Sequence, residues 1–249
     1  MERFLPPESM WPWQDNDAWL AHAANAEGGG KGSYSYRIGL MARQVEELFG
    51  QAPESLDEFI LASQISQAEA KKFFIELFRL DPRRTGIIWW NLIDGWPQFS
   101  DAVVDYYFGK KLAFDYIRQV QQPLLLAMRE PEDWKLELAV VNDTGKSQRI
   151  EARIRDCLEG NRIVWAGVLK ADSGISSATR LDYSQGRKKF YVIEWDWEGG
   201  SGRNHYLAGN PPFDLGQYRA FLEAAYGKRF VDGDWAHIFS GTMKEGESG

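Results

Sequence analysis

Residues 86–92 read Gly86-Ile87-Ile88-Trp89-Trp90-Asn91-Leu92, a short and nearly continuous apolar run that Asp94-Gly95-Trp96-Pro97 then breaks. Such a run predicts a strand buried on both faces, as in a parallel sheet clothed by helices. A strand of that kind needs a neighbour on each edge to satisfy its backbone. The first half of the chain offers at most one or two such strands, so the neighbours are missing. A complete barrel of eight β/α units takes about 250 residues. This chain has 249, and about half of them follow a different pattern. The run therefore predicts the last piece of a larger α/β domain.

Helical spacing surrounds the run. Residues 38–49 carry Leu40, Met41, Val45, Leu48 and Phe49 on one face and end at Gly50, a C-cap. Ser55-Leu56-Asp57-Glu58 is a capping box. From it Phe59, Ile60, Ala62, Ile65, Ala68, Phe73, Phe74, Leu77 and Phe78 carry a helix to Asp81-Pro82, about six turns at 3.6 residues each. A further helix is expected over residues 110–122, with Leu112, Ala113, Tyr116, Ile117 and Val120 inward. Before these, residues 1–32 hold Pro6-Pro7, Trp11-Pro12-Trp13, Trp19 and His22, which predicts an ordered loop pinned by aromatic side chains. The run Gly28-Gly29-Gly30 predicts a mobile loop tip.

After Pro123 the pattern changes to short alternating segments at 135–141, 147–156, 162–169, 179–183 and 188–197, divided by Asn142-Asp143-Thr144-Gly145 and Glu159-Gly160-Asn161. Another strand is expected at 204–207 and a short helix at 216–226, with a frayed tail from Gly241. Regular strands and turns predict an antiparallel sandwich of immunoglobulin-like type. The fold class is thus α/β plus all-β. Residues 1–122 are expected to be the last piece of an α/β domain, which the resemblance set out below makes the incomplete C-terminal end of a (β/α)8 TIM barrel, and residues 123–249 the β-sandwich.

Composition removes several functions. The 29 basic and 36 acidic side chains leave a net charge of −7 with no basic block, which argues against a nucleic-acid groove. No stretch approaches the roughly 18–20 apolar residues of a membrane span. One cysteine, Cys157, and three histidines exclude a disulfide framework and a Cys- or His-rich metal centre. No cofactor is expected, and a reducing, cytoplasmic compartment is. The 11 Trp, 10 Tyr and 14 Phe need a core, an interface or a flat apolar ligand.

The segment Gly86-Ile87-Ile88-Trp89-Trp90-Asn91-Leu92-Ile93-Asp94-Gly95-Trp96-Pro97 resembles the last barrel strand and following loop of glycoside hydrolase family 2, most closely its β-mannosidase-like branch, where the usual form is W-Q-L-N-D-x-W-P. Asp105-Tyr106-Tyr107 with Lys110-Lys111 is similar to the stretch entering that family's last barrel helix. Asn204-His205-Tyr206-Leu207 with Pro211-Pro212-Phe213-Asp214-Leu215 is similar to the end of its C-terminal sandwich. Phe4-Leu5-Pro6-Pro7 with Trp11-Pro12-Trp13 resembles the loop after the nucleophile strand. Asn91 stands where Gln is usual and Ile93 where Asn is usual, so the sugar is left open. The resemblance implies a retaining β-glycosidase whose two catalytic glutamates lie upstream of Met1, and hence no catalytic residue and no activity in this chain alone.

The resemblance makes Trp90 a substrate-binding residue, stacking on a sugar at the end of a barrel strand, while core filling is the other reading for it and for Trp89. Asp94 is a candidate to orient a sugar hydroxyl or an Arg, or else a turn residue. Trp96 either walls the pocket or anchors its loop. Asp94, Asp101 and Asp105 are too local to replace a catalytic pair and read as capping groups. His205 reads as a hydrogen-bonded structural group, and His22 and His237 have no partner in view. Cys157 reads as a small buried hydrophobe, Trp195-Asp196-Trp197 as part of a core or seam, and Trp11 and Trp13 as core plugs or borders of a cleft. The expected partner is the carbohydrate substrate of a parent enzyme. Alternatives are a carbohydrate-binding or interaction module, one subunit of a split glycosidase completed by an N-terminal chain, and a homo-oligomer built on the exposed side of the α/β half.

Overall fold

The computed structural model describes residues 1–23, 36–184 and 186–227. The Gly28-Gly29-Gly30 run, His237 and the tail from Gly241 lie outside the described residues.

Among the described residues, four α-helices precede residue 122. Helix α1 (Asp17–Ala21) is capped by Asn16, whose side chain accepts from the backbone N–H of Ala18 and Trp19. Helix α2 (Tyr36–Phe49) stops at Gly50, where φ is +84° and a Cβ would be strained. Helix α3 (Leu56–Arg79) starts as its capping box requires, with Ser55 Oγ accepting from Glu58 N at 3.4 Å. It buries Leu61, Ala62, Ile65, Ala68 and Ile75 on one stripe and packs along α4 (Leu112–Val120). A separate aromatic cluster closes the N-terminal segment: Trp19 stacks on Phe99 at 4.2 Å, and Trp11 and Trp13 lie against Phe59. Trp11 donates its Nε1–H to Glu54 O at 2.7 Å, so both tryptophans of the Trp-Pro-Trp motif act as plugs.

Seven strands follow among the described residues: β1 (Leu124–Met128), β2 (Lys135–Asn142), β3 (Gln148–Asp156), β4 (Arg162–Ala171), β5 (Gly174–Asp182), β6 (Lys189–Trp197) and β7 (Gly200–Ala208). They form two antiparallel sheets, ordered β1-β2-β5 and β4-β3-β6-β7. Strand β3 shows the half-buried alternation plainly, with Ile150, Ala152 and Ile154 buried and Arg149, Glu151 and Arg153 exposed. Leu126, Leu138 and Val140 of one sheet share a core with Ile150, Ile154 and Ile193 of the other, which makes the pair a β-sandwich. That core is continuous with Ile65 and Ile75 of α3 and with Tyr116 of α4. Helix α5 (Leu215–Tyr226), capped by Asp214, covers Phe190 with Tyr218 and Phe221.

Trp195 is buried in β6 and lies across Gly202, its direct partner on β7. A Cβ at residue 202 would stand 2.2 Å from the indole, so only glycine fits beneath the ring. Trp195 thus belongs to the sheet, and Trp197 packs half-buried against the same core.

Four sequence expectations differ from the structure, the first being α1, which lies in a stretch expected to be loop. Strand β1 was not anticipated, because five residues buried at every position carry no alternation to mark a strand. Strand β5 begins at Gly174, earlier than residue 179, since Gly-Ile-Ser-Ser-Ala is weakly apolar. Most importantly, residues 85–92 are not a buried strand. Residues 85–89 run without a strand partner, the chain bends at Trp90 and Leu92, and Ile93 forms a parallel bridge to Val104. Ile87 and Trp89 pack against the core, whereas Ile88, Trp90 and Leu92 are exposed. The apolar pattern suited a covered strand; among the described residues only one face is covered.

Candidate functional site

The extended segment and the loop after it hold all three substrate-binding candidates. Lys71 of α3 fixes the segment from behind. Its Nζ donates to Trp90 O at 2.7 Å and lies over the Trp89 ring, 5.2 Å from its centroid. Burial pushes the Lys71 ammonium below its ordinary pKa, with the Asp101 charge opposing. Held from that side, Trp89 faces the core and Trp90 turns its indole outward, which separates two neighbouring tryptophans that looked alike in sequence. Beyond Trp90 the chain is paired again: Val103 N donates to Asn91 O at 3.2 Å, Val104 N to Leu92 O at 2.9 Å, and Asp94 N to Val104 O at 3.1 Å.

Asp94 points inward and is almost wholly buried, at 4% exposure. Its Oδ1 accepts from Gln98 Nε2 at 2.8 Å and from Ser100 Oγ, while Lys111 Nζ faces its Oδ2 at 3.7 Å. Lys111 also donates to Ser100 O at 3.2 Å. Burial lowers the Lys111 pKa, and the charges of Asp94, Asp105 and Asp101 oppose that shift. The carboxylate therefore organises residues 94–100 from within. Trp96 is half-buried and stacks on His22 at 5.6 Å, and His22 Nδ1 is 2.7 Å from Pro97 O. The structure thus gathers Asp94 and Trp96 into a braced loop and leaves Trp90 as the exposed aromatic beside it. The other loop carboxylates are engaged too: Asp101 pairs with Arg37 at 2.6 Å, and Asp105 Oδ1 accepts from the backbone of Tyr107 and Gly109. Among the described residues no group of His, Cys, Asp and Glu could hold a metal ion, and no helix is long and apolar enough to cross a membrane.

A second polar cluster lies between α3, α4, α5 and β7, and sequence reasoning named its His205, Asn204 and Tyr116 but none of its carboxylates. His205 Nε2 donates to Glu69 Oε1 at 2.7 Å, and His205 Nδ1 is engaged by the Tyr226 hydroxyl. Tyr218 OH also donates to Glu69 and stands 2.9 Å from Tyr116 OH. One turn along α3, Lys72 pairs with Glu76 at 2.7 Å, and Glu76 accepts from Asn204 Nδ2 at 2.6 Å. Lys72 and Glu76 also line an open groove of about 610 Å³ with Leu77, Met128 and Tyr206. Both nitrogens of His205 are engaged and its side chain is wholly enclosed, so it cannot exchange a proton with a substrate. The cluster instead joins the helices to the sandwich.

The cluster makes stability depend on pH. Burial tends to raise the Glu69 carboxyl, but the charge and hydrogen bond of His205, with Lys72 and Tyr218, hold it below its ordinary value. Burial lowers the His205 imidazole, against the pull of Glu69. Both groups bind fewer protons folded than unfolded, so stability rises with pH. The His205 contribution is present above about pH 6.5, its unfolded value, and is lost as pH falls from there towards its lower folded value. The Glu69 contribution is present above its unfolded value near 4.5 and goes as pH falls through its own lower folded value. Urea unfolding across this range should show a midpoint that drops from pH 6.5 downwards, and the upper part of that drop should vanish in His205→Gln.

No family model matches the chain. Over 96 residues it is 35% identical to Beta-mannosidase B of Emericella nidulans and 33% identical to Beta-mannosidase B of Aspergillus niger, a match covering 36% of this chain and 11% of each relative. The fold is similar to that of a β-D-mannosidase from Dictyoglomus thermophilum, with a TM-score of 0.68 and 22% identity, over 86% of this chain and 26% of that one. The chain thus spans about a tenth of the length of the curated relatives and about a quarter of the solved one. In sequence and fold it is similar to the C-terminal portion of a family 2 type β-glycosidase.

Proposed function

We propose that this chain is the C-terminal portion of a retaining β-glycosidase that hydrolyses terminal β-linked sugars, a β-mannoside being the first substrate to test. In this reading residues 1–122 are the end of a barrel-type catalytic domain and residues 123–249 an accessory immunoglobulin-like sandwich. The observation that carries it is the exposed indole of Trp90 at the end of an extended segment backed by α3. In this reading the segment stands in the place of the last barrel strand, barrel folds build their sites at strand ends, and an indole face matches the apolar face of a pyranose. Asp94 and Trp96 then serve as the brace that holds the neighbouring loop. The similarity to β-mannosidases over the fold supports the same reading.

Retaining hydrolysis takes two carboxyl groups about 5–5.5 Å apart, one as nucleophile and one as acid/base. Asp94, Asp101 and Asp105, the carboxylates of this loop region, are each committed to a lysine, an arginine or backbone amides. In this reading the chain's part in the reaction is to bind and orient, and the catalytic carboxylates come from the rest of the enzyme. Incubated alone with a nitrophenyl β-mannoside, the purified chain should give no turnover. Turnover that a Glu or Asp substitution within these residues abolishes would overturn this reading. Sugar stacking is tested at low chain concentration by following the Trp90 indole N–H resonance, assigned by its loss in Trp90→Phe, during titration with methyl β-mannoside. It should shift at millimolar sugar, and Trp90→Ala should weaken binding at least about tenfold. An unmoved resonance would remove Trp90 from the site.

A further inference from the structure

We infer that two copies of this chain pair through the open edge of residues 86–90, related by a two-fold axis, as antiparallel strands centred on Ile88. Among the described residues, no hydrogen bond reaches the backbone of residues 85–89, although they run extended. Unpaired extended backbone is the template on which another strand adds. Edges that must stay free are usually blunted by charge, proline or a bulge, and residues 85–93 contain no charged residue and no proline.

The side chains on this edge need covering as well as its backbone. Ile88 is fully exposed at 102%, Trp90 is 75% exposed, Leu92 57% and Ile93 41%. Phe74 of α3, one turn beyond the Lys71 that holds Trp90 O, adds a ring at 51% exposure. Together they present on the order of 700 Å², close to the roughly 800 Å² that each partner contributes to a stable interface, and beyond the patch usual on a monomer.

The sequence is self-complementary in this register. Ile88 meets Ile88 of the other copy across the axis, Ile87 falls opposite Trp89, and Trp90 opposite Gly86. Nothing stands within 4 Å of a Cβ built on Gly86, so the space over it is open to an incoming ring. The chain already uses this arrangement once, where Trp195 lies across its partner Gly202 between β6 and β7. A second copy therefore offers both the strand and the ring that the edge lacks. The pairing depends on residues 86–90 and not on the glycosidase reading, so either can fail without the other.

Light scattering and sedimentation over a wide concentration range test it, together with hydrogen exchange. The chain should be a dimer whose amides at 86–90 are protected, and that protection should be lost on dilution. Ile88→Lys combined with Trp90→Lys should weaken association by about 100-fold. Val168→Lys, at an exposed position on the separate edge strand β4, should leave it unchanged. A monomer at all concentrations overturns the inference, as does a dimer indifferent to the double substitution. So does protection of 86–90 in a monomer, which would mean that the chain covers its own edge. Open-ended oligomers, or another polypeptide retained at stoichiometry over these amides, would replace the two-fold pair with a different occupant and equally overturn it.

Discussion

Glu69→Ala should cost about 2–6 kcal/mol of unfolding free energy, about 1–3 kcal/mol for each of two buried donors left without an acceptor. Glu69 accepts from both His205 Nε2 and Tyr218 OH. Its loss leaves two buried donors without their acceptor, since His205 and Tyr218 are themselves enclosed beside α4 and α5. Tyr116 and Tyr226 feel the change through their bonds to Tyr218 and His205. Against the 5–15 kcal/mol that stabilises a typical domain, this is a substantial fraction, and the loss should appear as a lower urea midpoint at constant slope. Glu69→Gln keeps the volume and one acceptor oxygen and should lose about half as much. A Glu69→Gln variant as stable as the native chain would show that packing, and not the carboxylate's acceptance of the two hydrogen bonds, is what Glu69 supplies.

Asp94→Ala should cost about 3–4 kcal/mol and loosen the loop that follows. Its carboxylate is the counter-charge nearest to Lys111, whose side chain is only 16% exposed, and it is also the acceptor for Gln98 and Ser100. Removing it leaves a buried ammonium with only Ser100 O and more distant charges. Limited proteolysis should then cut within residues 95–101, which the native loop resists. Asp94→Asn retains acceptors for Gln98 and Ser100 without the charge, so it should keep the loop closed while still losing stability. If Asp94→Ala unfolds like the native chain and the loop stays resistant, the carboxylate is not the brace described here.

Much of the helical framework was legible from local chemistry. Ser55 and Glu58 announce the start of α3, Gly50 the end of α2, and alternation marks β3. Asp94 was legible as a turn residue, but its burial against Lys111, 17 positions on, was not. Glu69 carried no signal at all: on a helix it reads as one more solvated carboxylate, and its partner His205 lies 136 residues away. The reading of His205 as a hydrogen-bonded structural group was within reach because a lone histidine at a strand end has few other uses.

The apolar run at residues 86–92 marks the division most sharply. By itself the sequence determined that this stretch is extended and apolar, because spacing and side-chain type act within a few residues. It also determined α2, α3 and α4 and, β1 apart, the succession of strands after residue 123. Whether the stretch is covered, which of Trp89 and Trp90 faces outward, and which charges meet in the interior were decided only by the tertiary structure. Those outcomes depend on surfaces brought together from distant parts of the chain. Here Lys71 and α3 cover one face of the run and leave Ile88 and Trp90 on the other.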